Sequence, residues 1–294
     1  ARAVPAPGEP AACPPAAQGP TTDPAVVDPG RVLRAALVAE MPRPAAAWRQ
    51  ALERLLRSRP EEARPQLLVL PEGAVQEPGP CDAAHPIVRE LAPMAEEFGV
   101  VVVAGTMVEE ADDFSGNTSA VIDGSGLVGS YRKRTQGAFS AADRGRHSGP
   151  GVFDTRLGRV GVLICLDAED DGLLQETARL CDVIANPAHI PHVPSGSWQI
   201  ALEAARRRLE WWACALGTTV LRCDLPPPGG MGSSMAVTPC ETFLPGRARE
   251  RAVLAAVPTN PRRRLAAWPV VRWRSALLDN CGSRVVLQQQ PQAP

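Results

Sequence analysis

The sequence predicts a layered α/β protein, on two observations. Short and almost unbroken apolar runs, such as Gln66 to Leu70 and Val100 to Ala104, have the length and character of strands covered on both faces. Between them lie stretches whose apolar residues recur at helical spacing. Strand and helix therefore alternate along the chain, a pattern that packs as helix layers against sheet.

Residues 1–30 are crowded with Ala and Pro and lack apolar periodicity, so a flexible tail is expected there. Order is expected to begin with Val32 to Ala39, a short apolar run of β character. From Ala45 to Ser58, Trp48, Leu52, Leu55 and Leu56 share one helical face, with Arg49, Glu53 and Arg57 outside it. Gln66 to Leu70 then runs straight into Pro71 and Glu72, which places a carboxylate at the end of a buried strand. Pro86 to Phe98 predicts a second helix and Val100 to Thr106 the next strand.

Thr118 to Ile122 and Leu127 to Arg132 flank Asp123-Gly124, a hairpin signal. Gly124, Gly126 and Gly129 spell G-x-G-x-x-G, but no helix follows, and the dinucleotide fingerprint requires strand, glycines and then helix. Val160 to Leu166 is a further buried strand with Cys165 near its end and Asp167 just beyond. Leu173 to Leu180 predicts a helix, and Val183 to Ala185 a short strand stopping at Asn186-Pro187. Trp198 to Leu216 is the longest predicted helix, with Arg207 and Glu210 spaced to pair. Thr218 to Cys223 and Ser234 to Thr238 are the later strands, and beyond Pro258 the chain reads as irregular and Arg-rich.

Composition narrows the function. The 294 residues are 45% hydrophobic with a formal net charge of −1, so no field favours nucleic acid or an anionic membrane. No apolar run approaches the roughly 20 residues of a membrane helix, and no segment near the start of this sequence joins a basic end to an apolar stretch of the secretory kind. A cytoplasmic protein acting on a small molecule is expected. The eight cysteines are scattered and form no C-x-x-C pair, which predicts free thiols. The four histidines are His85, His147, His189 and His192, and Pro191 inside the H-x-x-H at 189–192 argues against a helical metal pair. Neither a metal nor a cofactor is expected.

Of the 31 basic residues, Lys133 is the single lysine. An ammonium is a compact charge on a flexible stem and fits a narrow cavity, whereas a guanidinium is wide, planar and always charged. Glu72, Lys133 and Cys165 each fall at or just past the end of a predicted strand, where ligand-binding loops gather in α/β folds. A carboxylate, an ammonium and a thiol in one pocket would suit nucleophilic catalysis. A surface lysine and a core cysteine are the bland alternatives.

Three segments, L-V-L-P-E-G (68–73), Y-R-K-R (131–134) and G-V-L-I-C-L-D (161–167), resemble the signature blocks of the nitrilase superfamily of carbon–nitrogen hydrolases, in that family's order. The stretches 117–126, 185–188, 207–210 and 229–239 are similar to further family segments, so that the resemblance spans roughly residues 31 to 258. It implies a four-layer αββα sandwich forming one hydrolase domain over 31–258, with a C-terminal arm over 259–294. It also implies a Cys165 nucleophile, a Glu72 proton shuttle and a Lys133 charge stabiliser, acting through a thioester. A homodimer or higher even oligomer is implied too, built on the long helix and the arm, with Trp198, Trp211, Trp212, Trp268 and Trp273 as candidate contacts.

The departures from the family pattern bear on substrate. Many amidases of this family carry a second Glu between the lysine and the cysteine; residues 135–149 contain none, and Asp143 is the only carboxylate there. Asp143 either takes that part or is a solvated loop residue paired with Arg144 or Arg146. C-L-D at 165–167 resembles amidase and carbamoylase branches more than the C-W-E of true nitrilases, which points to a linear amide substrate. Leu166, where many relatives have Tyr, should make the pocket beside the thiol more apolar. His189 and His192 either line its mouth or are plain loop histidines. The competing reading is a catalytically silent module of the same fold that acts through its surface.

Overall fold

The computed structural model describes residues 32–111, 114–135, 144–145, 149–191, 197–239, 242–244, 252–258 and 285–287. The first half of the chain builds one sheet. Strand β1 (Val32–Val38) leads into helix α1 (Ala45–Arg57), and β2 (Leu67–Val69) into α2 (Pro86–Phe98). Then follow β3 (Val101–Val103), β4 (Met107–Ala111), β5 (Phe114–Asp123), β6 (Gly126–Arg132) and the two-residue β7 (Arg144–Gly145). The second half starts with β8 (Val152–Thr155), β9 (Gly158–Val162), α3 (Asp171–Leu180), β10 (Val183–Ala188) and α4 (Ser197–Leu216). It continues with β11 (Val220–Asp224), β12 (Met235–Val237), β13 (Thr242–Leu244), β14 (Ala252–Pro258) and β15 (Val285–Leu287).

Among the described residues these strands form two sheets, one of eight strands and one of seven. The first has the order β14-β1-β2-β3-β5-β4, with β6 and β7 paired to β5; the second runs β15-β13-β12-β11-β10-β9-β8. In the first, β1, β2 and β3 are parallel; in the second, β9, β10 and β11 are. The parallel centres are joined by the helices, as crossover connections require.

Alternation along the strands builds the layers. Leu33, Ala35 and Leu37 of β1 and Leu67 and Val69 of β2 pack against Val160, Val162, Ala185 and Leu221 in the core between the sheets. The opposite-facing Ala36, Val38 and Leu68 join Trp48, Leu52, Ile87 and Leu91 from α1 and α2 in a second core. Helices α3 and α4 cover the outer face of the second sheet. Helix–sheet–sheet–helix layering is therefore observed, in agreement with the four-layer expectation.

Local signals set the helix ends. On α2, His85 Nδ1 accepts from the Ile87 N–H at 3.2 Å, Pro86 opens the helix, and Gly99 closes it in the left-handed conformation at φ 57°. Along α1, Trp48, Leu52 and Leu56 are fully buried while Arg49 and Arg57 are exposed, as the spacing predicts.

Several boundaries differ from the expectation. The strand expected from Val160 to Leu166 ends at Val162, and Cys165 starts a 3-10 turn, Cys165–Glu169. An apolar run records burial, and this turn is as buried as the strand before it. Strand β10 extends through Asn186 and Pro187 to Ala188, beyond the expected stop at Ala185. On α4, Arg206 reaches Glu210 at 2.6 Å, while Arg207 pairs with Glu203. Strand β14, whose Ala-rich sequence carries little β signal, was not anticipated; it pairs antiparallel with all of β1. The expected tail over 1–30 lies outside the described residues. So does most of 259–294, within which β15 pairs with β13. No helix among the described residues is long and apolar enough to cross a membrane.

One glycine shows how tightly the strand ends pack. Gly105, just after β3, has φ 65°, and a Cβ there would lie 2.1 Å from the Pro71 carbonyl oxygen. Strain and clash fall on backbone that cannot move independently of Glu72. Gly105→Ala is expected to destabilise the fold by about 2–3 kcal/mol, read by denaturant unfolding.

Candidate active site

Glu72 is placed by the end of β2. The Leu70 N–H still donates to the Val103 carbonyl at 3.0 Å, and Pro71, having no N–H, ends the ladder. Gly73 takes φ 71°, its N–H donating to Thr106 Oγ1 at 2.7 Å. The Glu72 N–H donates across to the Ala188 carbonyl of β10 at 3.2 Å, so the turn is anchored to the opposite sheet. The Glu72 side chain is buried.

Lys133 follows β6 directly. Its N–H donates to the Asn117 carbonyl of β5 at 2.9 Å, and its buried side chain turns toward Glu72. Nζ donates to Glu72 Oε1 at 2.7 Å, and Asn117 Nδ2 donates to the same oxygen at 2.8 Å. The ammonium and carboxylate are thus an ion pair inside the protein.

Cys165 sits three residues past β9 with φ 47°, the one non-glycine residue with positive φ among the described residues. Such a conformation costs about 1–3 kcal/mol and persists only where the surroundings hold it. Here it directs the thiol off the strand axis, and Sγ–H donates to the His189 carbonyl at 3.8 Å. Ala188 therefore holds Glu72 while its neighbour His189 holds Cys165: the end of β10 joins the two. Burial pushes the Cys165 thiol up to about 12, and the Glu72 charge adds to this. A backbone hydrogen bond at His189, Arg222 and Lys133 act in the opposite direction. Glu72 and Lys133 are therefore in direct contact, the end of β10 links Cys165 to Glu72, and burial keeps the thiol protonated at neutral pH.

Asp167 was noted in the sequence only as a branch marker, yet it ties the site together. Its fully buried carboxylate accepts from the Ile164 N–H at 3.1 Å, just before Cys165. It also accepts from the Arg134 and Thr135 N–H groups at 3.2 and 2.6 Å, just after Lys133. Burial raises its pKa, and the N–H donors from Thr135 and Ile164 and the Tyr131 hydroxyl work against that rise. Asn117 and Asn186 were missed as well. Asn186 Nδ2 donates to the carbonyls of Leu163 and Cys165 at 2.7 and 3.4 Å. Both lie in segments of family resemblance, but nothing in an isolated Asn distinguishes these from turn residues.

The other expected site residues divide. Leu166 is 37% exposed on the 3-10 turn, next to the thiol. The His189 side chain is exposed, with Nε2 2.9 Å from the Gly229 carbonyl oxygen; its backbone, not its ring, reaches the thiol. Asp224 supports this wall by accepting from the Ile190 N–H at 3.0 Å and from Ser233 N–H and Oγ at 2.9 and 2.7 Å. Asp143 and His192 lie outside the described residues. No group of three or more His, Cys, Asp or Glu is placed to hold a metal among the described residues.

Comparison with known proteins agrees with this architecture. The carbon-nitrogen hydrolase family profile matches residues 35–214, and the chain belongs to that family. Among solved structures, Nit3 of Saccharomyces cerevisiae, a member of branch 10 of the nitrilase superfamily, is similar at 21% identity and TM-score 0.63. That match covers 83% of this chain and 96% of Nit3. A carbon-nitrogen hydrolase from Helicobacter pylori G27 is similar at 17% identity and TM-score 0.65, over 87% of this chain and 100% of its own. An amidase from Nesterenkonia sp. is similar at 20% identity and TM-score 0.58, over 85% and 99%. A mutant of the Nesterenkonia sp. AN1 amidase carries a Michael adduct of acrylamide at its active-site cysteine. No curated protein matches the chain.

Replacing Asp167 tests the tie between the two loops. Asp167→Asn keeps the shape but sets an amide NH2 against N–H groups. A misplacement of about 1 Å in a reacting group can slow a reaction by on the order of 10²-fold. Turnover is expected to fall by about that factor while far-UV dichroism stays unchanged.

Proposed function

We propose that this protein hydrolyses a linear, non-peptide amide or carbamoyl C–N bond through a thioester on Cys165, releasing ammonia or an amine. The observation that carries the reading is the buried Glu72–Lys133 pair, 2.7 Å apart, joined through the end of β10 to a strained, buried cysteine. A thiol held protonated needs a base as it attacks, and Glu72 is the carboxylate whose charge it feels.

In the first half-reaction Sγ bonds to the carbonyl carbon as its proton passes to Glu72. Because Lys133 and Asn117 both engage Oε1, Oε2 is the oxygen left to take it. The oxyanion forms beside the Lys133 ammonium and the N–H groups that open the 3-10 turn, which precede any acceptor within it. The C–N bond breaks as Glu72 returns the proton to nitrogen. In the second half Glu72 takes a proton from water, the hydroxide adds to the thioester, and the S–C bond breaks to release the acid as Glu72 returns that proton to Sγ. No cofactor enters these steps. The amide and carbamoyl class rests on C-L-D at 165–167 and on Leu166, which lends the pocket an apolar wall.

Intact-mass detection across a panel of small amides, ureas and nitriles is expected to show an acyl adduct in wild type and none in Cys165→Ala. A panel without any adduct in wild type would favour a silent module. Lys133→Arg is expected to lower kcat by at least about 10²–10³-fold with the fold intact, as loss of one oxyanion donor does. A folded, active arginine variant would remove the assigned role.

The same reading includes a homodimer. On α4, Ile200 and Trp211 are 74% and 60% exposed, and Trp211 stacks edge-on against Trp212 with centroids 4.5 Å apart. Trp268 and Trp273 lie outside the described residues, as does the side chain of Trp198. Sedimentation velocity is expected to show a dimer in wild type and a shift to monomer in Trp211→Glu.

A further inference from the structure

Arg222 has no part in the steps above, yet it is among the largest fully buried side chains, at 2% exposure. A buried cation with incomplete pairing is strongly unfavourable, so its retention calls for a reason. It lies on β11 in register with Asn186 of β10, the residue that donates to the Cys165 carbonyl. Neither Nε nor Nη1 of Arg222 has a hydrogen-bond partner, and the same is true of Asn186 Oδ1. Nη1 lies 3.5 Å from Glu169 Oε1, and Glu169 ends the 3-10 turn that Cys165 begins. Arg208 of α4 grips the other side of that residue, with Nε 3.5 Å from Glu169 Oε2 and Nη2 donating to the Glu169 carbonyl.

The register settles which side of the sheet this is. Gly161 of β9 faces α3 through Thr177 and Cys181, and it pairs with Ile184. Asn186 and Arg222, at even spacing from Ile184 and Val220, therefore share the helix-covered face. Arg222 thus lies beneath the nucleophile's turn, opposite the wall from which Glu72 and Lys133 approach.

We propose that Arg222 is a positioning residue for Cys165: it secures the nucleophile's turn through Glu169 and holds a positive charge behind the thiol, stabilising the thiolate as Glu72 takes the proton. Among the described residues, the charged groups on the elements around the thiol include Glu72 and Lys133 from the first sheet, Asp167 and Glu169 from its own turn, Arg222 and Asp224 from β11, and Arg208 from α4. The His189 carbonyl from the end of β10 completes the set. Of the two cations that favour the thiolate, Arg222 acts more strongly than Lys133.

This inference rests on Cys165 as the nucleophile, and one experiment separates the two. Full-length protein is treated with iodoacetamide at several pH values, and the alkylated cysteine is mapped by mass spectrometry. Labelling at Cys165 in wild type supports the nucleophile; its absence overturns the function proposed above, whatever Arg222 does. Arg222→Gln keeps N–H donors and drops the charge, so alkylation of Cys165 at pH 8 is expected to slow by about threefold or more, because a lost cation lowers the thiolate fraction. Arg222→Lys restores the charge and is expected to restore most of the rate, with kcat following and KM unchanged. Equal slowing in both variants, or no slowing in Arg222→Gln, overturns the proposal. Glu169→Gln, on a partly exposed side chain, covers the case in which Arg222→Gln fails to fold. The introduced amide oxygen still accepts from the guanidinium and so keeps the turn secured, while loss of the anion should speed alkylation; a slower or unchanged rate overturns the proposal.

Discussion

Two opposite charges buried 2.7 Å apart, Glu72 and Lys133, set the terms for the rest of this structure. Removing both from water is strongly unfavourable, and their mutual attraction offsets it only where geometry and further hydrogen bonds are good. The fold supplies these from backbone. Asn117 adds a second donor to Glu72 Oε1, the Lys133 N–H is held by the Asn117 carbonyl, and the Glu72 N–H is held by Ala188 on the opposite sheet. A pair fixed in this way does not depend on side-chain rotamers alone. It is pre-organised before any substrate arrives, which is the condition under which charge stabilisation in a site is effective.

The two sheets contribute unequally. The first provides the ion pair from the ends of β2 and β6, and the second provides the thiol, from a turn after β9 that takes a conformation ordinary residues avoid. Asp167 reconciles the halves, since one buried carboxylate receives N–H groups from both the segment leading into Cys165 and the loop after Lys133. The end of β10 does the same with backbone alone. Two independent ties across one seam mean that the spacing between thiol and carboxylate is a property of the sandwich rather than of either loop.

Much of this was legible in the sequence, and the reason differs by element. The helical face of Trp48, Leu52 and Leu56 and the caps of α2 are local signals, and the structure reproduces α2 at its expected limits. Glu72, Lys133 and Cys165 stood out because each is a reactive type at or just past the end of a predicted strand. What was not legible depends on partners distant in sequence. Asp167 is 33 residues from Arg134, and Arg222 is 53 from Glu169; a single chain offers no cue that such pairs meet. Strand β14 was hidden for a related reason, because Ala252–Pro258 becomes a strand through pairing with β1 and not through its own propensity. The end of β9 was misplaced because apolar character reports burial, and a buried turn looks like the strand it follows.

The contrast between the two buried cations explains why this Arg-rich chain keeps one lysine. Lys133 must bring a single nitrogen to an oxygen that Asn117 also occupies, in a space bounded by the ends of β2 and β5. A guanidinium would bring two nitrogens in a plane and displace the amide. Arg222 has the opposite setting: it lies under a sheet face, where a broad, weakly hydrated cation packs like an apolar side chain and reaches Glu169 from a fixed strand position. On the proposed reading one charge touches the reacting groups, and the other acts only through the field and the turn it supports. The residue type at each position follows from that division, compact in front of the thiol and broad behind it.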